Sequence, residues 1–435
     1  MAFNKKTVRD VNLAGRRVLL RADYNVPLTE GKITDDYRLR ASLSTINYIL
    51  DQKPAALVII AHLGRPKSPT DKNLSLLPVA KHLGQLLGKS VHFAHDCVGD
   101  EVSSALERLK PGGVLVLENL RFHPGEEEND PAFAKAIVEA TGAEVFVADG
   151  FGVVHRAHAS TVAITKLLPS VAGLLLAKEV ETITKLISQP PRPLVAVLGG
   201  AKIADKIELL EKMVETADAV AVVGAMANDF LLAEGIKIGK SIVDRDALGE
   251  TRKILAKARQ AEAKRNFNFL VPVDVVVSTD PGGGRSTRVV DLISHSLADI
   301  QAYPKLPRHA AYSVAADELI LDIGPISAGY IAGAVKMAAA VIWNGTCGVT
   351  ESRGLAGAAA PFAHGTRIVA EAMMGASLHH ANRPFTFVGG GDTVGYVAAK
   401  GWVDDFSHVS TGGGASLELV TGHKLPGAEA LEDKK

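Results

Sequence analysis

A chain of 435 residues is too long for one small module and long enough for at least two cores, at roughly 100–200 residues per domain. Hydrophobic residues make up 47% against 22% charged, which excludes a disordered or collagen-like chain. Lys+Arg and Asp+Glu both number 48, so no basic excess is available to clamp nucleic acid and any charged substrate must be met locally.

Cys97 and Cys347 form no CxxC pair, which points to a reducing compartment. The longest apolar runs fall far short of the roughly 20 residues of a membrane span, and MAFNKKTVRDV lacks the apolar centre of a secretion signal. A cytoplasmic protein without a membrane or nucleic-acid partner is expected.

Short apolar runs without alternation, read as strands buried on both faces, punctuate the chain at 18–20, 57–60, 114–117, 145–147, 194–198, 219–223, 319–321, 340–343 and 385–388. Helix-patterned, charged stretches lie between them at 36–50, 76–87, 130–140, 205–216 and 247–264. Residues 170–188 read as one long helix, and the following QPPRP at 189–193 cannot continue it, so a hinge is placed there. The alternation predicts parallel sheets covered by helices on both faces.

Ligands of such sheets bind at the carboxyl ends of the strands, where helix N-termini offer free N–H groups. In the first half those loops carry Arg21, Arg38, His62, Arg65, Arg121, His123, His155, Arg156 and His158. Guanidinium groups pair with phosphate and carboxylate in fixed geometry, so a small substrate bearing both anions is expected. In the second half the loops carry Gly199-Gly200, Gly345, Gly389-Gly390-Gly391 and Gly412-Gly413-Gly414, which let backbone N–H groups approach phosphate. Asp392 and Thr393 after the glycine run suit a magnesium-bound polyphosphate.

The segment GIKIGKS at 235–241 is one residue short of a P-loop, and no G-x-G-x-x-G opens a helix after the first strand. A zinc centre built on His155, His158 and His123 lacks convincing spacing, and Cys347 lacks an identifiable activating histidine.

Taken in order, RVLLRADYNVPL, AHLGRPKS, LENLRFHPGEEEND, ADGFGVVHRAHAST, LGGAKIADKI, WNGTCGVTE, GGGDTVGYV and HVSTGGGASLELVTGHKLPG resemble the phosphoglycerate kinase family along essentially the whole chain. The resemblance implies two Rossmann-like lobes, each a parallel β-sheet covered by helices on both faces, joined by a hinge helix. Residues 1–169 would form an N-terminal glycerate lobe, 170–192 the hinge helix and linker, 193–407 a nucleotide lobe, and 408–435 a segment returning to the first lobe. It implies reversible phosphoryl transfer between 1,3-bisphosphoglycerate and ADP, giving 3-phosphoglycerate and ATP, by a monomer using Mg2+. The implied glycerate ligands are Asp23, Asn25, Arg38, His62, Arg65, Arg121 and Arg156. The implied nucleotide ligands are Lys202, Lys206, Gly324, Asn344, Glu351, Gly390, Gly391, Asp392 and Thr393, with Asp392 on the metal and Arg38 and Lys202 catalytic. Thr346-Cys347 and Thr350 depart from the family's usual W-N-G-P-M-G-V-F-E, at the expected nucleotide pocket wall.

Overall fold

A computed structural model describes residues 3–68, 71–292, 313–355, 360–375 and 383–434. The chain divides into two compact units, residues 1–188 with 411–435, and residues 189–410.

The first unit contains β1 (Arg17–Arg21), β2 (Leu28–Thr29), β3 (Lys32–Ile33), β4 (Ala56–Ile60), β5 (Val91–Phe93), β6 (Gly113–Val116), β7 (Val145–Ala148) and β8 (Ser170–Ala172). Six of them form one parallel sheet in the order β5-β6-β4-β1-β7-β8, while β2 and β3 make a small antiparallel ribbon. Every residue of β4 and β7 is buried, which is why these strands show no polar alternation. Local signals set the helix ends. The helix Pro131–Thr141 starts with Asp130, whose carboxylate accepts the Ala132 N–H at 2.8 Å, and stops at Gly142 with φ +55.

The second unit contains β9 (Leu194–Gly199), β10 (Ala219–Val223), β11 (Asn268–Leu270), β12 (Asp274–Ser278), β13 (Arg288–Asp291), β14 (Leu319–Ile323), β15 (Ala340–Asn344), β16 (Phe385–Gly389) and β17 (His408–Val409). Its main sheet is again parallel and six-stranded, in the order β11-β10-β9-β15-β16-β17.

Three expectations are corrected. The run at 319–321 belongs to a separate antiparallel sheet, β13-β12-β14, with its own cluster of Leu231, Val275, Val277, Val290 and Leu292. The stretch 170–188 is not one helix, because Ser170–Ala172 pairs with β7 and the helix runs over Leu174–Ser188. Its start is fixed by Asp149, whose Oδ1 accepts the N–H groups of Leu175 and Leu176, and by Gly173, where a Cβ would stand 1.9 Å from that same oxygen. So anchored, the helix belongs to the first unit rather than to a linker, and the boundary falls after Ser188, at the start of the proline cluster where the hinge is placed. The returning segment joins the first unit from Thr411, not 408: its N–H and Oγ1 donate to the buried Glu179 at 2.6 and 2.8 Å, whereas His408 and Val409 pair with β16. The near-P-loop is structural as well. Lys240 N–H donates to Glu318 O, and Ser241 Oγ accepts the Ile320 N–H, tying 235–241 to β14.

Candidate functional site

In the first unit, the loops after β1, β4, β6 and β7 converge through a buried polar network. Arg21, the last residue of β1, is 1% exposed; its Nε donates to Ser160 Oγ at 2.8 Å, and an NH2 lies 3.4 Å from His62 Nδ1 and 3.5 Å from Glu126 Oε1. Glu126 is fully buried and accepts Ser160 N–H and Oγ–H at 3.0 and 2.6 Å. One carboxylate therefore holds the guanidinium in place, as a buried charge requires.

The implied glycerate residues surround this network. Arg38 donates to the Asn25 carbonyl at 2.8 Å and pairs with Asp23 at 3.2 Å. Asn25 Oδ1 accepts the Gly64 N–H at 2.9 Å, which ties the β1 loop to the loop carrying His62 and Arg65. Arg121 donates to the Gly64 carbonyl at 2.7 Å; its buried Nε is 3.3 Å from Glu127 Oε1 but is not aligned for a hydrogen bond. Arg156 Nε donates to His155 Nε2 at 3.1 Å, and Arg65 is exposed.

The electrostatics show how close these charges are. Burial holds His62 well below its ordinary 6.5, and the neighbouring charges of Arg21, Arg121, Arg38 and His158 add to the effect. Burial, then Arg156 and His158, pushes His155 down to about 4, and its Nδ1 is buried without a partner. Arg121 is likewise lowered by burial and by Arg156 and Arg21, against the opposing charge of Glu127. A neutral histidine ringed by guanidinium groups, with an unpaired Nε among them, is an environment completed by an anion.

The second unit uses fewer side chains. Lys206 Nζ donates to the Gly199 carbonyl and to Asn344 O and Oδ1, the latter two at 3.1 and 2.6 Å. Burial pushes this lysine down to about 8, against the opposing charges of Asp392 and Asp205. Thr393 Oγ1 accepts the Gly345 N–H at 2.7 Å, linking the loops after β15 and β16. Two glycines here have no substitute: at Gly345 (φ +115) a Cβ would fall 2.2 Å from Gly199 O, and at Gly390 (φ +88) 3.1 Å from Asn344 Oδ1. Asp392 is exposed in the first turn of the helix Gly391–Ala399, beside the backbone N–H groups of that terminus.

Lys206, Asn344, Gly390 and Thr393 are thus joined by contacts. Lys202 and Glu351 are exposed side chains. Gly324 is explained by packing, since a Cβ there would stand 2.2 Å from the Asp274 carboxylate, which caps the helix Pro325–Met337 through the Ile326 and Ser327 N–H groups. Sequence reasoning gave no supporting role to Glu126, Ser160 or Asp149; the one available signal was Arg21 closing the apolar run Val18–Leu20.

The phosphoglycerate kinase family model matches residues 8–423. A phosphoglycerate kinase of Pelotomaculum thermopropionicum is 42% identical over 430 residues, covering 99% of this chain and all of that protein. One from Chloroflexus aurantiacus is 44% identical over 434 residues, with 99% and 100% covered. Among solved structures, the Coxiella burnetii phosphoglycerate kinase superposes with a TM-score of 0.76 at 34% identity, and the Pyrococcus horikoshii enzyme with 0.77 at 28%, each pair covering 98% of both chains.

Proposed function

The chain belongs to the phosphoglycerate kinase family, and from that membership we propose that the cationic loops of the first unit bind the glycerate and the glycine-lined loops of the second bind the nucleotide. The activity is reversible phosphoryl transfer between the carboxyl group of 3-phosphoglycerate and ATP, a step of glycolysis. The observation that carries the division is the gathering of three guanidinium groups, those of Arg21, Arg38 and Arg121, around neutral His62.

An acyl phosphate is a reactive donor, so catalysis consists of aligning donor and acceptor, excluding water and spreading charge. Arg65, Arg121 and Arg156 grip the phosphate that does not react, and Asp23, Asn25 and His62 orient the glycerate. Arg38, held by Asp23 and the Asn25 carbonyl, stands ready to stabilise the transferring phosphoryl group. Lys202 is the catalytic cation of the nucleotide-binding loops. Lys206 and the N–H groups of Gly390 and Gly391 hold the nucleotide phosphates, with Asn344 and Thr393 supporting their loops, while Gly324 and Glu351 line the remaining contacts. The exposed carboxylate of Asp392, a hard oxygen donor beside Lys206, would hold the magnesium that accompanies the nucleotide, which would supply neutralisation of phosphate charge.

The protein is proposed to act as a cytoplasmic monomer. Both cysteines are free and buried, which suits a reducing compartment, and among the described residues no helix is long and apolar enough to cross a membrane. Calorimetry on the full chain tests the assignment. Arg121→Ala should weaken 3-phosphoglycerate binding and leave magnesium–ADP binding unchanged; the reverse pattern would mean the two roles are exchanged.

A further inference from the structure

His123 has no part in the glycerate assignment, yet it is held as firmly as a working residue. Its ring stacks on Phe133, with centroids 4.8 Å apart and planes at 23°, and its Nε2 lies 2.7 Å from Asp96 Oδ1. The stack sets the plane of the ring and the carboxylate sets its edge. Cys97 follows Asp96 in the loop after β5, and its buried Sγ donates to the Glu118 carbonyl at 2.9 Å. One ligand atom from each of Asp96, Cys97 and His123 lies within 4.8 Å of the others. Donors around a tetrahedral zinc, with bonds of about 2.0–2.3 Å, stand about 3.3–3.8 Å apart. Closing the present cluster onto an ion therefore needs side-chain shifts of about 1 Å, within rotamer adjustment.

The donor set and its exposure agree on the type of ion. Sulfur, imidazole nitrogen and one carboxylate oxygen select a borderline to thiophilic divalent metal over magnesium, which prefers oxygen alone. The sulfur is buried, whereas the Asp96 and His123 side chains are 44% and 31% exposed, so an ion has a route in and an open position for water. The ligands come from two neighbouring strands, since Asp96 and Cys97 follow β5, His123 follows β6, and these strands pair at the edge of the sheet.

We propose that Asp96, Cys97 and His123 form a binding site for a thiophilic divalent cation of the zinc class, distinct from the magnesium that travels with the nucleotide. Coordination replaces the thiol proton, now donated to the Glu118 carbonyl, and releases it to water, while the imidazole of His123 binds through one nitrogen and keeps its single proton on the other. The site fastens the edge strand to the segment that carries Arg121, two residues before His123 in the chain.

The test uses the full-length protein, stripped of metal and titrated with Co2+ alone. The expected result is a sulfur-to-cobalt charge-transfer absorption that saturates at one ion per chain and disappears when Zn2+ is added in its place. Cys97→Ser should abolish that absorption while Cys347, the other thiol, remains. His123→Ala should weaken Co2+ binding by more than the about 10–100-fold lost when only a supporting partner of a ligand is removed. Absence of the absorption in the unmodified protein, or its survival in Cys97→Ser, overturns the proposal. If Cys97→Ser does not fold by circular dichroism, His123→Ala, altered at a partly exposed position, decides: unchanged cobalt affinity in that folded variant overturns it equally.

Discussion

Under the proposed assignment, the two units meet anions with the same strand-end geometry but different materials. The first recruits guanidinium groups and must then neutralise one of them internally, which it does with the Arg21–Glu126–Ser160 network. The second relies on backbone N–H groups, and its constraint is steric: Gly345 and Gly390 must lack a side chain. Side-chain sites are thus sensitive to lost charge, whereas backbone sites are sensitive to added volume.

The largest effect separating them should come from Arg38. An arginine preorganised on a transferring phosphoryl group contributes on the order of 10³–10⁵ in rate, and interactions made mainly in the transition state lower kcat when lost. Arg38→Ala should fold and bind 3-phosphoglycerate within about tenfold of the parent, yet turn over at least hundreds of times more slowly, on the order expected for such a group. Arg65→Ala should raise KM more than it lowers kcat. Steady-state kinetics on both variants decide this, and equal KM losses with kcat preserved would remove Arg38 from the reacting centre.

Stability comes next, with opposite injuries in the two units. Glu126→Gln leaves Arg21 buried beside a neutral amide and should cost about 3 kcal/mol or more. Gly345→Ala adds one methyl in a left-handed conformation against Gly199 O and should cost about as much. Denaturant unfolding followed by a probe in each unit should find the first loss in residues 1–188 with 411–435 and the second in 189–410. Loss of both units together in either variant would contradict their separation.

A smaller, selective effect is expected from Asp392→Ala. Magnesium–ATP binding should weaken by about tenfold or more, while 3-phosphoglycerate affinity is preserved because additivity holds for distant sites. Calorimetry with each ligand alone is the check.

The mildest test is pH. His155 (about 4 in the fold, ordinarily 6.5) and Lys206 (about 8, ordinarily 10.5) are both bases whose folded pKa is depressed. In each case the unfolded chain binds more protons, so stability rises with pH through the interval between the two values. The first unit should therefore lose stability as pH falls from 6.5 towards 4, whereas the second should gain as pH rises from 8 towards 10.5. His155→Gln and Lys206→Met should each flatten one slope alone in pH-dependent urea melts.

What the sequence reveals follows from what each element buries. Strands covered on both faces, such as β4, β10 and β15, are legible because every residue is apolar or nearly so. The strand Ser170–Ala172 is hidden because three residues show no period, and the signal that ends it, Gly173 against Asp149, is a contact between distant parts of the chain. Similarly, β13 is masked by the half-exposed residues it contributes to a small antiparallel sheet. Motif order picks out Arg38, Lys206 and Gly390, but Glu126 sits in GEEEND among acids of identical appearance, and only the fold shows which one is buried. Gly324 is the reverse case, a motif glycine whose packing against Asp274 is a sufficient reason for it.

The first unit is discontinuous. Its opening residues pair with its closing ones: Lys6 N–H donates to Glu432 O, Lys5 and Asp433 form a β-bridge, and Glu432 N–H donates to Ser170 O. During synthesis, residues 189–410 are made as one uninterrupted stretch before Thr411 is added. The second unit is therefore complete in one continuous stretch of chain, whereas the first, begun earlier, keeps its edge open until residues 411–435 arrive. A chain cut after Ser410 would carry every residue of the second unit and an incomplete first one.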